Sequence, residues 1–228
     1  MPSSHISTGT EVLDILLDGG YENDSVTTVY GPAGSGKTNI ALLAAVNMAK
    51  LGKKVIYIDT EGGFSIARVE QLVPNYKKTK LLEKIIFLQP TNFEEQKKAF
   101  EKLKSIVNSN VGLIIVDSLT MLYRLQKHST GDIHDVNGDL ALQIGALNEI
   151  ARKKLIPVLI TNHVYTGFED GISQIVGGDI VKYSSKCIVE LQTFHAGKRK
   201  AILRKHRSIA GEKEVLFEIV GEGVKGIS

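Results

Sequence analysis

The segment at residues 31–38 has the composition of a phosphate-binding loop. It matches the pattern G-x-x-x-x-G-K-[ST] in full, follows a strand-like run and opens a helix-like one. This context distinguishes a true phosphate loop from a chance match. Its glycines allow backbone N–H groups to converge on phosphate oxygens at the positive end of the helix dipole. The sequence therefore predicts that a nucleoside triphosphate is bound by Gly31, Pro32, Ala33, Gly34, Ser35, Gly36, Lys37 and Thr38.

Two of these residues have more specific expected roles. Lys37 should reach the β- and γ-phosphates, and the hydroxyl of Thr38 should ligate Mg²⁺. Asp117 ends the apolar run "GLIIVDS", where a carboxylate is costly unless it has a partner. We expect that partner to be the Mg²⁺ on Thr38, contacted directly or through water. The alternative is a strand-end aspartate that caps the following helix, and Ser118 could equally be that cap.

Glu61 is the candidate for catalysis. It lies just past the apolar run "KVIYID", at the end of a strand where open α/β sheets gather their ligands. A carboxylate there could orient and partly deprotonate the water that attacks the γ-phosphate. Asp59, two residues earlier, is the competing acid. The alternative is that both residues merely lie in a solvated loop.

The elements that must position these residues alternate along the chain. Five continuous apolar runs are typical of strands in a parallel sheet covered on both faces, namely 26–31, 54–59, 84–89, 112–118 and 156–162. Three helix-like segments lie between them, at 37–52, 93–108 and 139–155. Three further strand-like runs after residue 185 predict an antiparallel extension at one sheet edge. The pattern predicts an α/β fold, with a mainly parallel sheet flanked by helices.

The composition is that of an ordinary globular domain. The chain has 228 residues, a net charge of +3 and a single cysteine, Cys187, which we expect to be a buried strand thiol. One cysteine excludes an intramolecular disulfide and fits a reducing compartment. No apolar run approaches the roughly 20 residues that span a bilayer, and the first residues do not resemble a signal peptide. These features predict a cytoplasmic protein with no membrane partner. The sequence contains no metal-spaced Cys/His cluster and no nucleophile constellation, so it does not support a protease, glycosidase or metalloenzyme.

The order and spacing of five motifs resemble the core of the RecA/RadA recombinase family. The motifs are "ISTGTEVLDILLDGG", the phosphate loop, "YIDTEGGF", "LIIVDS" and "VLITNHV". The resemblance covers essentially the whole chain and is strongest to short archaeal members of the family. It implies that residues 1–228 form a single RecA-like P-loop NTPase core, without the family's N-terminal helical DNA-binding domain.

The resemblance also implies roles for individual residues. The family's water-activating glutamate falls on Glu61, and its adenine-stacking arginine falls on Arg68. The polar residue that senses the γ-phosphate at the end of the next strand falls on His163, where many recombinases have glutamine. Histidine can still donate a hydrogen bond there, but it titrates near 6.5 when unperturbed. By position alone, Arg68 would be a solvated helix residue.

Two loops correspond to the family's DNA-contacting loops, at 123–137 and 165–179. Their candidate contacts are Arg124, Lys127, His128, Tyr165 and Phe168, of which the aromatic residues could stack on bases. The loops also carry acidic residues that argue against this role, namely Asp132, Asp135, Glu169 and Asp170.

The strongest basic cluster is "GKRKAILRKHRS". It contains Lys198, Arg199, Lys200, Arg204, Lys205 and Arg207. It could bind DNA phosphates without sequence preference, or be a solvated surface. A third alternative is that Lys205 and Arg207 resemble the basic pair that KaiC-type relatives project onto a neighbouring subunit's γ-phosphate.

The nucleotide motifs predict a protein that binds ATP and Mg²⁺, and the family resemblance implies an accessory role in homologous recombination and DNA repair with binding of single-stranded DNA. The protein would hydrolyse ATP weakly, assist or regulate the main recombinase, and form at most a homodimer or short oligomer. One alternative is a KaiC-like signalling ATPase with no DNA role. The other is a non-hydrolysing module that uses ATP as a latch for a protein partner.

Overall fold

The computed structural model describes residues 5–74, 78–129, 133–166 and 173–227. Its strands are β1 His5–Ile6, β2 Tyr21–Glu22, β3 Val26–Tyr30, β4 Lys54–Asp59, β5 Ile85–Leu88, β6 Val111–Asp117, β7 Val158–Asn162, β8 Val164–Thr166, β9 Ser173–Ile175, β10 Cys187–Thr193, β11 Lys198–Lys205, β12 Lys213–Val220 and β13 Gly223–Ile227. Its α-helices are α1 Glu11–Leu16, α2 Lys37–Lys50, α3 Ile66–Leu72, α4 Lys78–Leu82, α5 Phe93–Ile106, α6 Met121–Ser129, α7 Ile133–Lys154 and α8 Gly178–Ser184. No helix in these ranges is long and apolar enough to cross a membrane.

Nine strands form one central sheet in the order β13-β12-β11-β10-β3-β7-β6-β4-β5. In the sheet, β5, β4, β6, β7, β3 and β10 lie side by side and pair in parallel. Strands β11, β12 and β13 follow beyond β10 and pair antiparallel. This confirms the predicted α/β fold with an antiparallel extension at one edge. Two details of the prediction are wrong. The first strand expected in the extension, β10, pairs parallel with β3, and the glycine-containing strand β13 was not anticipated.

Helices cover both faces of the parallel part of the sheet, which explains why its strands are continuous apolar runs. Helix α2 packs in one hydrophobic cluster and helices α5 and α7 pack in the other. Phe100 and Leu103 of α5, and Val107 just after the helix, are buried. Cys187 is buried on β10 as expected, and burial raises the pKa of its thiol to about 12.

The expectation of a loop at 123–137 is wrong for the described residues. Helix α6 continues to Ser129, and α7 begins at Ile133 rather than at 139. Asn137 and Gly138 are poor helix formers, but the neighbouring side chains of Val136 and Leu140 are buried. Burial of this face therefore overrides local propensity. The described part of 165–179 contains the β8–β9 hairpin and the start of α8. Asp132, Phe168, Glu169 and Asp170 lie outside the described residues.

Candidate functional site

The phosphate loop connects β3 to α2, in the predicted position. Its backbone is left-handed at Gly34 (φ +74°) and at Gly36 (φ +106°), a conformation that favours glycine. A Cβ atom on Gly36 would lie 3.0 Å from Cδ1 of Ile219 on β12, so a larger residue would be crowded as well as strained. The Ser35 hydroxyl is buried and has no hydrogen-bond partner among the described residues. The loop is thus closely backed by the antiparallel extension, and it holds an unsatisfied polar group, as a ligand-binding loop can.

Lys37 is the first residue of α2 and is largely buried. Its Nζ donates hydrogen bonds of 2.9 Å to the carbonyl oxygens of Gly31 and Pro32. Burial lowers the pKa of the ammonium, whereas the negative charges of Glu61 and Asp117 act to raise it. The lysine therefore lies within the electrostatic reach of both acids that the sequence assigns to the site.

Thr38 and Asp117 lie together at the ends of α2 and β6. The Thr38 side chain lies close enough to Asp117 to lower the pKa of its carboxyl, and the Asp117 carboxylate accepts hydrogen bonds from the Tyr57 hydroxyl (2.8 Å) and the Thr161 hydroxyl (2.5 Å). Burial raises the pKa of Asp117, and these hydroxyl donors oppose the rise. Tyr57 and Thr161 were not anticipated, because strand residues with no unusual neighbours give no local signal.

The residues around Thr38 fit Mg²⁺. A hydroxyl and a carboxylate are hard oxygen donors, and Mg²⁺ is usually held by one or two carboxylates together with substrate phosphates. Among the described residues there is no group of three or more His, Cys, Asp or Glu side chains that could hold a metal alone. The site therefore suits a metal that arrives with a nucleotide, rather than a permanent metal centre.

Glu61 and His163 are brought into direct contact. Oε1 of Glu61 lies 2.5 Å from Nε2 of His163, which follows the end of β7. The hydrogen bond to His163 is the main reason that the pKa of Glu61 is lowered, while burial acts in the opposite direction. Lys37 contributes a smaller electrostatic lowering. The three residues proposed for catalysis thus form one cluster at the ends of β4, β7 and the phosphate loop.

Asp59, the competing acid, has a different position. Its side chain is buried and accepts hydrogen bonds from the backbone N–H groups of Glu61 (3.2 Å), Gly63 (3.1 Å) and Phe64 (3.1 Å). These bonds fold residues 59–64 into a compact turn. Asp59 therefore positions the loop that presents Glu61, and Glu61 is the acid that faces Lys37.

The N–H groups around the edge of the Arg68 guanidinium donate hydrogen bonds to acceptors from several parts of the chain. It donates to the side chains of Asn39 (2.7 Å) and Gln71 (2.8 Å), and to the carbonyl oxygens of Val220 (2.8 Å) and Gly221 (3.0 Å). These contacts join α2 and α3 to the turn between β12 and β13. Because the edge of the guanidinium is occupied, its faces are the parts left to meet a ligand.

Half of the six cations in the basic run on and just after β11 have carboxylate partners within the chain. Lys200 pairs with Glu214, Arg204 pairs with Glu190 and Glu212, and Lys205 donates to the Lys182 carbonyl. Arg207 pairs with Glu22 and Asp24, beside the start of β3 and away from its own phosphate loop. Arg199 donates to the carbonyl of Gly34 (3.2 Å), so it belongs to the back of the phosphate loop. The sequence could not show this contact, because the two residues are far apart in the chain.

A second cluster of basic and aromatic residues lines an open cleft of about 660 Å³. The cleft lies between α6, the start of α8 and the β8–β9 hairpin, and it includes Arg124, Lys127, His128, Tyr123 and Tyr165. The three basic side chains are exposed, as is Tyr165, and the Lys127 ammonium lies 5.9 Å from the centre of the Tyr123 ring. Arg124, Lys127 and His128 from the first predicted segment and Tyr165 from the second are thus on one surface.

Comparisons with known proteins agree with this architecture. The Rad51 family model matches residues 3–227. The chain is 41% identical over 222 residues to the DNA repair and recombination protein RadB of Methanobrevibacter smithii, covering 93% of this chain and 92% of that protein. It is 40% identical over 218 residues to the protein of the same name from Methanocaldococcus jannaschii, covering 94% of this chain and 99% of that protein. The crystal structure of the RadB recombinase superposes with a TM-score of 0.83 at 36% identity, covering 97% of this chain and 99% of that one. The chain therefore belongs to the Rad51 family.

Proposed function

We propose that this protein binds ATP with Mg²⁺, binds single-stranded DNA, and acts in DNA repair and recombination as an accessory to a main recombinase. The observation that carries the nucleotide part is the convergence of Lys37, the Thr38–Asp117 pair and the Glu61–His163 pair around one phosphate loop. Membership of the Rad51 family and the names of the RadB relatives support the recombination part. The expected cytoplasmic location and a dimer or short oligomer remain predictions.

The phosphate loop would hold the triphosphate through its backbone N–H groups at the start of α2. Lys37 would exchange its two carbonyl partners for the β- and γ-phosphates, since its ammonium already lies among the loop carbonyls. Thr38 and Asp117 would hold Mg²⁺, which neutralises phosphate charge when it is bound with the nucleotide. Tyr57 and Thr161 keep the Asp117 carboxylate oriented toward Thr38.

Glu61 would accept a proton from the attacking water. A base is most effective when its pKa lies near the working pH, and the hydrogen bond from His163 moves the pKa of Glu61 in the other direction. The carboxylate also has one oxygen engaged by the imidazole. These two features support slow hydrolysis by a chain whose catalytic residues are all in place.

Arg68 would stack on the adenine base. Its hydrogen-bonding edge is occupied by acceptors from α2, α3 and the β12–β13 turn, which fix the orientation of its plane. A guanidinium plane stacks well on an aromatic ring. This role is supported by the family resemblance and by the proximity of Asn39 to the phosphate loop.

The cleft lined by Arg124, Lys127 and Tyr165 is the surface that we assign to single-stranded DNA. Cations along a backbone and aromatic faces for bases are what sequence-independent binding requires. The run on β11 is a weaker candidate, because most of its cations have carboxylate or carbonyl partners. Those partners also make Arg207 a weak candidate for an arginine supplied to a neighbouring subunit, as the KaiC-like alternative would need.

The ATP-latch alternative shares every feature of the nucleotide site, and the hydrogen bond that engages Glu61 favours it over a fast enzyme. The test is steady-state ATP hydrolysis with and without single-stranded DNA at two salt concentrations, with Glu61→Gln as the blank. Our proposal expects slow hydrolysis that DNA stimulates, that weakens with salt and that falls by orders of magnitude in the blank. ATP binding with hydrolysis at the blank level in every condition would support the latch.

Binding is tested separately from turnover. Lys37→Ala should abolish binding of a fluorescent ATP analogue, while Lys50→Ala, which removes an exposed lysine from the other end of α2, should leave it unchanged. Undiminished binding by Lys37→Ala would refute the site assignment.

A further inference from the structure

A groove lies at the end of the central sheet opposite the phosphate loop. It has a volume of about 580 Å³ and is bordered by the end of α2, the loop before β6 and the end of α7. Its floor is aliphatic, formed by the side chains of Met48, Val111, Ile156 and Pro157. The described residues that form this groove include no aromatic side chain. It is separate from the nucleotide site, which lies beyond the carboxyl ends of the parallel strands.

Two leucines border this groove and remain largely exposed. Leu51 follows α2 and is 67% exposed, and Leu155 follows α7 and is 64% exposed. Single exposed apolar residues are ordinary, but two on the rim of one aliphatic groove form a continuous apolar surface.

The backbone at Leu155 is unusual. Leu155 has φ +53°, the left-handed conformation that ordinarily belongs to glycine after a helix, and the Ile156 N–H bonds back to the Ala151 carbonyl (3.3 Å). The neighbouring helix α2 is followed by Gly52 in the same conformation, with φ +81°. The chain thus uses the expected glycine at one helix end and a strained leucine at the adjacent one. A leucine in that conformation is unfavourable for folding, so its exposed side chain is a candidate for a functional contact.

The rim of the groove is basic. Lys53, Lys153 and Lys154 border it, and all three are exposed. Lys153 pairs with Glu149, but both side chains are solvent-exposed and such a pair is weak. Lys53 donates only to the Ser109 carbonyl among the bonds described (3.3 Å). An occupant that satisfies this rim must carry negative charge.

We propose that this groove is the docking site for an acidic segment of a protein partner, which places at least one large aliphatic side chain between Leu51 and Leu155. The aliphatic floor supplies the burial, and the lysines select acidic over basic sequences. Single-stranded nucleic acid fits less well, because it would need aromatic or planar groups on which bases stack. Docking here requires no nucleotide, so this proposal does not depend on the ATP site.

The test is a peptide-display selection on the full chain, followed by fluorescence anisotropy with the labelled selected peptide. We expect selected sequences to combine Asp or Glu with Leu, Ile, Met or Phe. Leu155→Gly and Lys154→Glu should each weaken the affinity by about tenfold, which is more than truncation of most interface residues costs. Leu155→Gly suits the backbone at this position, and its melting temperature reports that it is folded.

The controls separate this site from others. Leu142→Ala removes a leucine that is 74% exposed elsewhere on α7, and it should leave peptide affinity unchanged. Lys37→Ala should also leave it unchanged, whether or not the proposed ATPase is correct. Selected peptides without acidic and aliphatic residues, or affinities that ignore Leu155→Gly, would overturn the proposal. So would a labelled oligonucleotide whose affinity falls with Lys154→Glu but not with Leu155→Gly, since that result assigns the groove to nucleic acid.

Discussion

At the residue scale, the contact between Glu61 and His163 is central to the proposed chemistry of the site. The carboxylate must be ionised to accept a proton from water, yet the imidazole that holds it in place also lowers its proton affinity. The same contact should therefore position the base and weaken it. The side chains are 32% and 18% exposed, so solvent screens the pair only in part.

We predict that in His163→Ala the fall of the hydrolysis rate on the acidic side of its pH profile (the acid limb) moves to higher pH. The pKa of Glu61 is depressed mainly by the hydrogen bond to His163, and removing that bond lets it rise toward the ordinary value of about 4.3. Glu61 is active only when ionised, so activity in the variant is lost at a higher pH than in the wild type. The measurement is kcat for ATP between about pH 3 and pH 8, a range that extends below the ordinary carboxyl pKa.

The lowered pKa of Glu61 also makes its contribution to folding stability depend on pH, and this contribution too is lost on the acidic side. A depressed carboxylate pKa stabilises the fold above the unfolded-state value and loses that contribution as pH falls through the folded-state value. His195→Ala, which removes an exposed histidine from the turn before β11, serves as the control and should not move the limb. An acid limb that stays in place in His163→Ala would show that the imidazole does not set the proton affinity of Glu61.

Asp59 supplies a second prediction at this scale. In Asp59→Asn, one of the two acceptor oxygens becomes an NH₂ donor facing backbone N–H groups, because the native carboxylate accepts from Glu61, Gly63 and Phe64. We expect a loss of about 1–3 kcal/mol in the free energy of unfolding, the usual result of an unsatisfied buried group. Urea unfolding measures this loss, and ATP hydrolysis should fall in parallel because the Glu61 loop is displaced.

Glu94→Gln is the matched control for that substitution, since Glu94 is 63% exposed and pairs only at the surface. It should change the unfolding free energy by less than about 0.5 kcal/mol. If Asp59→Asn lowers stability but leaves hydrolysis intact, Asp59 shapes the turn without positioning the base.

At the scale of elements, the ends of α2 and α7 form a natural comparison. Leu155→Gly should raise the free energy of unfolding by about 0.5–1 kcal/mol, because relief of left-handed strain exceeds the entropy that glycine adds to the unfolded chain. Gly52→Leu should lower it by about 1–2 kcal/mol for the converse reason. For a chain of this size, 1 kcal/mol corresponds to about 2–4 °C in Tm, which differential scanning calorimetry resolves.

A destabilised Leu155→Gly would contradict the idea that this leucine is kept at a cost to folding. It would mean that packing of the side chain on the groove floor outweighs the backbone strain. The calorimetric result is independent of any partner, so it can be compared directly with the peptide affinities.

The elements differ in how far the sequence could predict them. The runs around Ile56, Ile114 and Ile160 are continuous because both faces are covered, and such runs identify a parallel sheet directly. The start of α7 and strand β13 were missed, because Gly138 and Gly226 disfavour their elements locally and only packing and strand pairing select them. The phosphate-loop motif predicted that Lys37 and Thr38 would open a helix after a strand, because a motif of adjacent residues is a local pattern. Contacts between distant segments, such as Arg199 with Gly34, leave no local pattern.

On the scale of the whole molecule, the distribution of charge divides the surface into regions with different uses. The net charge of +3 is small, so local arrangement rather than total charge decides where a polyanion binds. On β11, Lys200 pairs with Glu214, and Arg204 pairs with Glu190 and Glu212. In the cleft beside α6, Arg124 and Lys127 are exposed next to Tyr165. Electrostatic attraction for DNA should therefore concentrate in the cleft.

We predict that Arg124→Ala and Lys127→Ala each weaken binding of labelled single-stranded DNA and flatten its dependence on salt. Each lost phosphate contact should reduce the slope of log K against log[salt] by about 0.7 for a single strand. Tyr165→Ala should weaken binding without changing this slope, because stacking releases no counterions. Fluorescence anisotropy at several salt concentrations measures both quantities.

The competing surface is tested by Lys198→Ala and Lys200→Ala on β11, which should leave the slope unchanged. A slope that responds to the β11 variants and not to the cleft variants would move the DNA site to the antiparallel extension, where binding would first have to break the Lys200–Glu214 pair.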